Sequence, residues 1–209
     1  MPTGLRVLFI AAEAEPYIKV GGLGDVAGSL PLYLRDIPAV GGTSPDVRLV
    51  LPLHPNVDRA RHGIQPLLDF SMTRSGTEIQ VRVSSTTLAG MPVYFIDGGP
   101  ISGSGAVYSH DPVVDAGKYA FFSLAALELP RLLAWRPNVL HANDWHTALA
   151  CYAFLLRRRQ DERVPTFSVL TLHNLPFMGP DLADELAAYG LPAPRTDLPG
   201  WAAGRPLAL

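Results

Sequence analysis

Three polar clusters hold the residues whose types and spacing could do chemistry. The first, EAEPYIKVGGLGD (13–25), places Lys19 shortly before the pair Gly21 and Gly22. Adjacent glycines let backbone approach a ligand closely. A helix starting at Gly24–Asp25 would offer unpaired N–H groups and the positive end of its dipole, which suits phosphate. Lys19 adds an ammonium for a phosphate oxygen, a charge-assisted bond of about 1.5–3 kcal/mol. A Gly-rich turn with a solvated lysine is the alternative. A dinucleotide fingerprint is disfavoured: Gly22, Gly24 and Gly28 read G-x-G-x-x-x-G, one residue off the spacing, and no acidic residue closes the next strand. No Gly-Lys-Ser/Thr of a Walker loop is present.

The second cluster is HANDWH (141–146), with His141, Asn143, Asp144, Trp145 and His146 flanking a strand-to-helix turn. Such a density of hydrogen-bonding groups suits a polyhydroxyl or phosphorylated ligand. Asp144 as an N-cap beside packed histidines is the competing explanation. No Ser or Cys adjoins a histidine on a sharp elbow, so a nucleophile site is not indicated. In the third cluster, HNLPFMG (173–179), His173 and Asn174 directly follow a strand. Asp115 lies near a helix start, where a negative charge favours the dipole. Cys151, Trp135 and Trp145 read as core or rim packing.

These clusters need elements to hold them. Leu5–Ala12 is continuously apolar, as a strand buried on both faces would be. After the glycine loop, Asp25 is positioned to N-cap a helix over Val26–Arg35, with Val26, Leu30 and Tyr33 or Leu34 on one stripe and Pro31 inside it. Residues 47–52 form a second buried strand, and 77–84 with 92–97 a β excursion. The Gly-, Ser- and Pro-rich stretch 98–112 reads as a mobile surface loop. Helical periodicity then runs through Tyr119, Phe122, Ala126 and Leu129. A strand at 138–142, a helix at 147–159 and a strand at 166–173 follow. This order predicts an α/β, Rossmann-like fold with a mostly parallel sheet and helices on both faces. Ligands of such sheets bind at the carboxyl ends of the strands, where all three clusters fall.

Composition narrows the classes. The 209 residues are 48% hydrophobic and 17% charged, enough to bury a core. Net charge is −2, so no basic excess points to nucleic acid or an anionic membrane. The single cysteine, Cys151, excludes an intrachain disulfide and a Cys-rich zinc site, and fits a reducing, cytoplasmic setting. No apolar run approaches the roughly 18 residues of a membrane helix.

Four segments, in this order and spacing, resemble the bacterial glycogen synthase and plant starch synthase family. KVGGLGDVAGSLP (19–31) resembles its Lys-x-Gly-Gly-Leu-x-Asp-Val signature. DAGKYAFFSLAALE (115–128) resembles the helix that follows, with Asp115 matching and Ala116 departing from the usual Asn. VLHANDWHTALACYAFL (139–155) is similar to the His-Asp-Trp-His-Thr region, with Asn143 where a histidine is common, and TLHNLPFMG (171–179) to Thr-x-His-Asn-Leu.

The resemblance implies the N-terminal half of a GT-B-type glycosyltransferase, two Rossmann-like domains facing across a cleft. Such enzymes move glucose from a sugar nucleotide, commonly ADP-glucose, to the non-reducing end of an α-1,4-glucan, with the α configuration kept. No metal and no cofactor beyond the donor substrate is implied. Lys19 would contact the donor diphosphate, with Gly21, Gly22 and Asp25 at the same pocket. His141, Asp144, His173 and Asn174 would bind substrate, and Asp115, Asn143 and His146 are the catalytic candidates. Residues 1–209 are expected to be an incomplete N-terminal catalytic domain that needs an absent C-terminal domain for activity. Expected partners are a sugar nucleotide and an α-1,4-glucan, with no nucleic acid and no membrane. A non-catalytic glucan-binding module, or a related GT-B enzyme with another donor, is the alternative.

Overall fold

The computed structural model describes residues 4–37, 43–160, 167–194, 200 and 202–208. Its strands are β1 (Arg6–Ile10), β2 (Asp46–Pro52), β3 (Gln65–Arg74), β4 (Thr77–Leu88), β5 (Met91–Gly98), β6 (Val139–Asn143) and β7 (Phe167–Thr171). Its helices are α1 (Gly22–Asp36), α2 (Gly99–Ser102), α3 (Pro112–Leu132), α4 (Trp145–Gln160) and α5 (Ala183–Ala188). One seven-stranded sheet runs β3-β4-β5-β2-β1-β6-β7. β1, β2, β5, β6 and β7 are mutually parallel, while β4 pairs antiparallel with both β3 and β5.

The predicted α/β architecture is present. Consecutive residues of a strand point to opposite faces, and Phe9 and Ile10 of β1 are both fully buried, as are Phe95 and Ile96 of β5. Both faces of the central sheet are therefore covered. Toward one edge, β7 is exposed or half-buried along its length. β3, unanticipated from the sequence, forms the other edge, and its residues likewise stay exposed or half-buried.

Two local expectations are corrected. α1 starts at Gly22, with Gly21 at the cap position, so Asp25 lies in the first turn and does not cap the helix. Its buried stripe is Leu23, Ala27 and Pro31 at four-residue spacing, whereas Tyr33 is exposed and Val26 only half-buried. Pro31 sits within the helix at the loss of one backbone hydrogen bond and does not end it.

The stretch 98–112 is not a free surface loop. Ile101 and Val107 are buried, and the Val107 carbonyl accepts from Lys118 Nζ at 2.6 Å and from the Tyr119 hydroxyl at 2.6 Å. The chain then enters α3 through Asp111, whose carboxylate accepts the Val113 N–H at 2.9 Å. α3 is buried nearly all round, and no helix among the described residues is long and apolar enough to cross a membrane.

Candidate active site

Strand order reverses beside β1: β2 lies on one side of it and β6 on the other. The crevice outside the carboxyl ends of β1 and β6 is thus a topological switch point, where open α/β sheets take their ligands. The first two polar clusters leave from these two strand ends, and the third leaves from β7 next door.

Glu13, three residues past β1, organises the glycine loop. It is buried, and its carboxylate accepts the Val20 N–H, the Gly21 N–H at 3.1 and 3.2 Å and the Tyr108 hydroxyl at 2.8 Å. The loop is drawn back onto this carboxylate, and α1 opens just beyond it. A side chain at Gly22 would meet nothing within 4 Å, and one at Gly21 only a Glu13 oxygen at 3.6 Å. The space before the helix start is open. Lys19 stands beside it, exposed, with Nζ 2.5 Å from Asp25 Oδ1 and 3.3 Å from Glu15 Oε1. The hydrogen bonds to Asp25 and Glu15 raise the lysine pKa, so it stays charged.

Asn143 closes β6. It is fully buried, its Nδ2 donates to the Ile10 carbonyl at 3.0 Å, and its Oδ1 lies 3.0 Å from His173 Nε2. Asp144 follows in the left-handed region at φ 57°, a conformation Asp tolerates better than most. Its N–H donates to the Thr171 carbonyl at 2.8 Å, and its carboxylate accepts the His173 N–H at 2.6 Å. Asp144 therefore ties the β6 tip to the segment after β7. Of the residues expected on the sugar side, the structure joins Asn143, Asp144 and His173 by direct hydrogen bonds. Asn174 lies exposed beyond them, its carbonyl accepting from the Phe177 N–H at 3.0 Å. His141 sits lower, half-buried edge-on to Phe9, with Nε2 2.8 Å from Thr171 Oγ1; burial, and then His173, lowers its pKa.

Asp115 and His146 lie under the rim. Asp115 is buried, accepts the Ser109 N–H at 3.0 and 3.1 Å and pairs with the fully buried Lys118 at 2.7 Å. It also borders a small hollow of about 310 Å³ with Trp145, Phe177 and Met178. His146 is packed among Trp145, Tyr119 and Tyr108, with ring centroids 3.9, 4.7 and 4.8 Å away. Burial, then the Lys118 charge, holds its pKa well below the usual value, so the ring is neutral, and its Nδ1 has no hydrogen-bond partner. Among the described residues no three His, Cys, Asp or Glu side chains converge as a metal site.

Sequence reasoning gave no role to Glu13, Tyr108 or Lys118. The only signal for Glu13 was its place directly after the first strand. Tyr108 acts through the Glu13 carboxylate, 95 residues away, and Lys118 through the Ala106 and Val107 carbonyls, contacts that no local pattern reveals.

The starch synthase catalytic domain model matches residues 6–202. Glycogen synthase of Vibrio parahaemolyticus is 36% identical over 181 residues, which are 84% of this chain and 35% of that protein. Glycogen synthase 1 of Geobacter sulfurreducens is 37% identical over 186 residues, or 85% and 36% of the two chains. The catalytic domain of Starch Synthase IV from Arabidopsis thaliana, solved bound to ADP and acarbose, superposes with a TM-score of 0.76 at 29% identity, covering 91% of this chain and 38% of that one. The chain spans little more than a third of the relatives it matches. Switch-point crevice, glycine loop and paired rim segments all lie within the matched span, and the chain belongs to the starch synthase catalytic domain family.

Proposed function

We propose that this chain supplies one wall of a glucosyltransferase site, the N-terminal half of a GT-B enzyme that moves glucose from ADP-glucose to the non-reducing end of an α-1,4-glucan. The observation that carries the reading is the open start of α1 at the switch point, with the Lys19 ammonium beside it. Amide N–H groups and a positive dipole end attract a diphosphate, and the lysine adds a mobile charge. In the reaction the bond from the sugar anomeric carbon to the diphosphate oxygen breaks, and the electron pair stays with ADP. A glucan hydroxyl oxygen bonds to the anomeric carbon on the same face, and its proton passes to the departing diphosphate oxygen. The chain would stabilise the leaving diphosphate through Lys19 and Gly21–Asp25. His173 and Asn174 would orient the sugars, with the buried Asn143 and Asp144 holding His173 in place and His141, Asp115 and His146 supporting the rim from below.

The second wall is assigned to a further domain of the longer protein, in keeping with the share of the relatives that this chain covers. The donor carries its own leaving group, so no cofactor enters the scheme. The Arabidopsis neighbour's ligands, ADP and acarbose, have the two chemistries proposed here. A cytoplasmic setting suits the lone, half-buried Cys151, whose thiol burial pushes up to about 11 and keeps protonated.

Calorimetric titration of the chain with ADP tests the reading. Binding that weakens roughly tenfold in Lys19→Ala is expected for a lost charge-assisted contact. Equal ADP affinity in both proteins would remove Lys19 from the site, and glycogen co-sedimentation with no ADP binding at all would replace the reading with a glucan-binding module.

A further inference from the structure

At the pole of the sheet opposite the rim, a cavity of about 680 Å³ opens between the C-terminal ends of α3 and α4 and the first residues of β1 and β6. Five-residue β1 separates it from the switch point by roughly 16 Å at about 3.3 Å per residue. Leu8, Leu140, Phe154 and Trp135 give it apolar walls. Arg6, Arg131, Arg136, Arg157 and Arg158 line it as well.

The charges of this lining are unbalanced. Arg131 and Arg157 share one carboxylate, Glu128, at 3.3 and 2.6 Å. Arg158 lies against the Phe167 ring, 5.9 Å from its centroid. The nearby Asp46 is engaged by Arg48 at 3.3 Å and by Trp135 Nε1 at 2.7 Å. Arg6 and Arg136 have no carboxylate partner among the described residues. Cations in the last turns of α3 and α4 are expected from the helix dipoles alone. Arg6 and Arg136 lie outside those helices, and the dipoles do not account for them. The chain as a whole is mildly acidic, so the excess is local.

A concave, mostly apolar space of several hundred Å³ with a few charged groups at its edge has the build of a small-molecule site. Guanidinium groups bind phosphate and carboxylate through paired N–H donors and tolerate apolar neighbours along their stems. We propose that this cavity is a second ligand site, independent of the rim, that takes a small organic anion: an apolar or aromatic body between Leu140, Phe154 and Trp135, with a phosphate or carboxylate held by Arg6 and Arg136.

The test is titration of the 209-residue chain with 1-naphthyl phosphate in phosphate-free buffer, read by calorimetry. Inorganic phosphate and 2-naphthol report the ionic and apolar halves alone. Saturable binding is expected, stronger than that of either half, and roughly tenfold weaker in the Arg6→Gln/Arg136→Gln double variant. Lys19→Ala should leave it unchanged, which separates this site from the rim. All five arginines are at the surface or half-buried, and a melt of each variant without probe confirms folding; Arg136→Gln alone serves if the double variant melts early. The proposal is overturned by absence of saturation in the millimolar range, by equal affinity for inorganic phosphate or naphthol, by wild-type affinity in the arginine variants, or by loss of binding in Lys19→Ala.

Discussion

The Glu13 carboxylate accepts the Tyr108 hydroxyl at 2.8 Å while holding the Gly21 N–H, so one buried acid joins the loop before α1 to the loop before α3. Removing it leaves two backbone donors and a hydroxyl without their acceptor. Glu13→Ala should cost about 3 kcal/mol or more, and Tyr108→Phe, which loses one bond, about 1 kcal/mol. Urea unfolding of both variants checks the order, and a larger loss in Tyr108→Phe than in Glu13→Ala would remove Glu13 from this role.

His54 makes stability depend on pH. It is buried, its Nε2 lies 3.0 Å from the Ala12 carbonyl, and burial above all holds its pKa at about 4. The unfolded chain, with an ordinary histidine near 6.5, takes up the proton first as pH falls. Stability is therefore full above about pH 6.5 and drops as pH falls toward 4, by about 2 kcal/mol from His54 between pH 7 and 5. His146 shifts in the same direction. The gap between denaturant midpoints at pH 7 and 5 should narrow in His54→Gln, with a remainder from His146; an undiminished gap counts against the argument.

A methyl group at Gly28 would sit 2.6 Å from the Glu15 carbonyl oxygen and 3.1 Å from Glu15 Cβ. The first is backbone and yields little. Ala gains about 1 kcal/mol of helix propensity over Gly, but a forced contact of this kind costs about 1–3 kcal/mol. Gly28→Ala should be net destabilising and should disturb the Glu15–Lys19 turn. A stabilised variant in thermal melts would show that α1 can shift freely.

The chain by itself should transfer no glucose. Incubated with ADP-glucose and glycogen, it should release no more ADP than a blank without protein. Release that scales with protein concentration would show that this wall suffices for catalysis.

Much of the sheet was legible because β1, β2 and β6 carry near-continuous apolar residues, the mark of strands covered on both faces. β3 was not, because an edge strand with half-buried Leu68, Phe70 and Met72 among exposed polar residues has little core to bury. The segment 98–112 departs from expectation for a physical reason: its Gly, Ser and Pro content suits a loop, but Lys118 and Tyr119 pin it through the Ala106 and Val107 carbonyls. Asp25 has the residue type of a cap, but the carboxylate that takes the Gly21 N–H comes from Glu13, eight residues upstream, which no local pattern reveals. That the clusters at 141–146 and 173–179 sit at strand ends was readable from the parallel-sheet pattern; the bonds joining Asn143, Asp144 and His173 were not, because they span 29 and 30 residues.

The bond from Asn143 to the β1 carbonyl reaches further than its own residue. A carbonyl only accepts, so the Asn143 amide must turn its NH₂ toward Ile10 and its oxygen toward His173. A neutral His173 ring then carries its hydrogen on Nε2 and leaves Nδ1 as a bare lone pair. The tautomer of an imidazole at the mouth of the cleft is thus dictated by main chain in the central strand, and a histidine in place of Asn143 would release that choice.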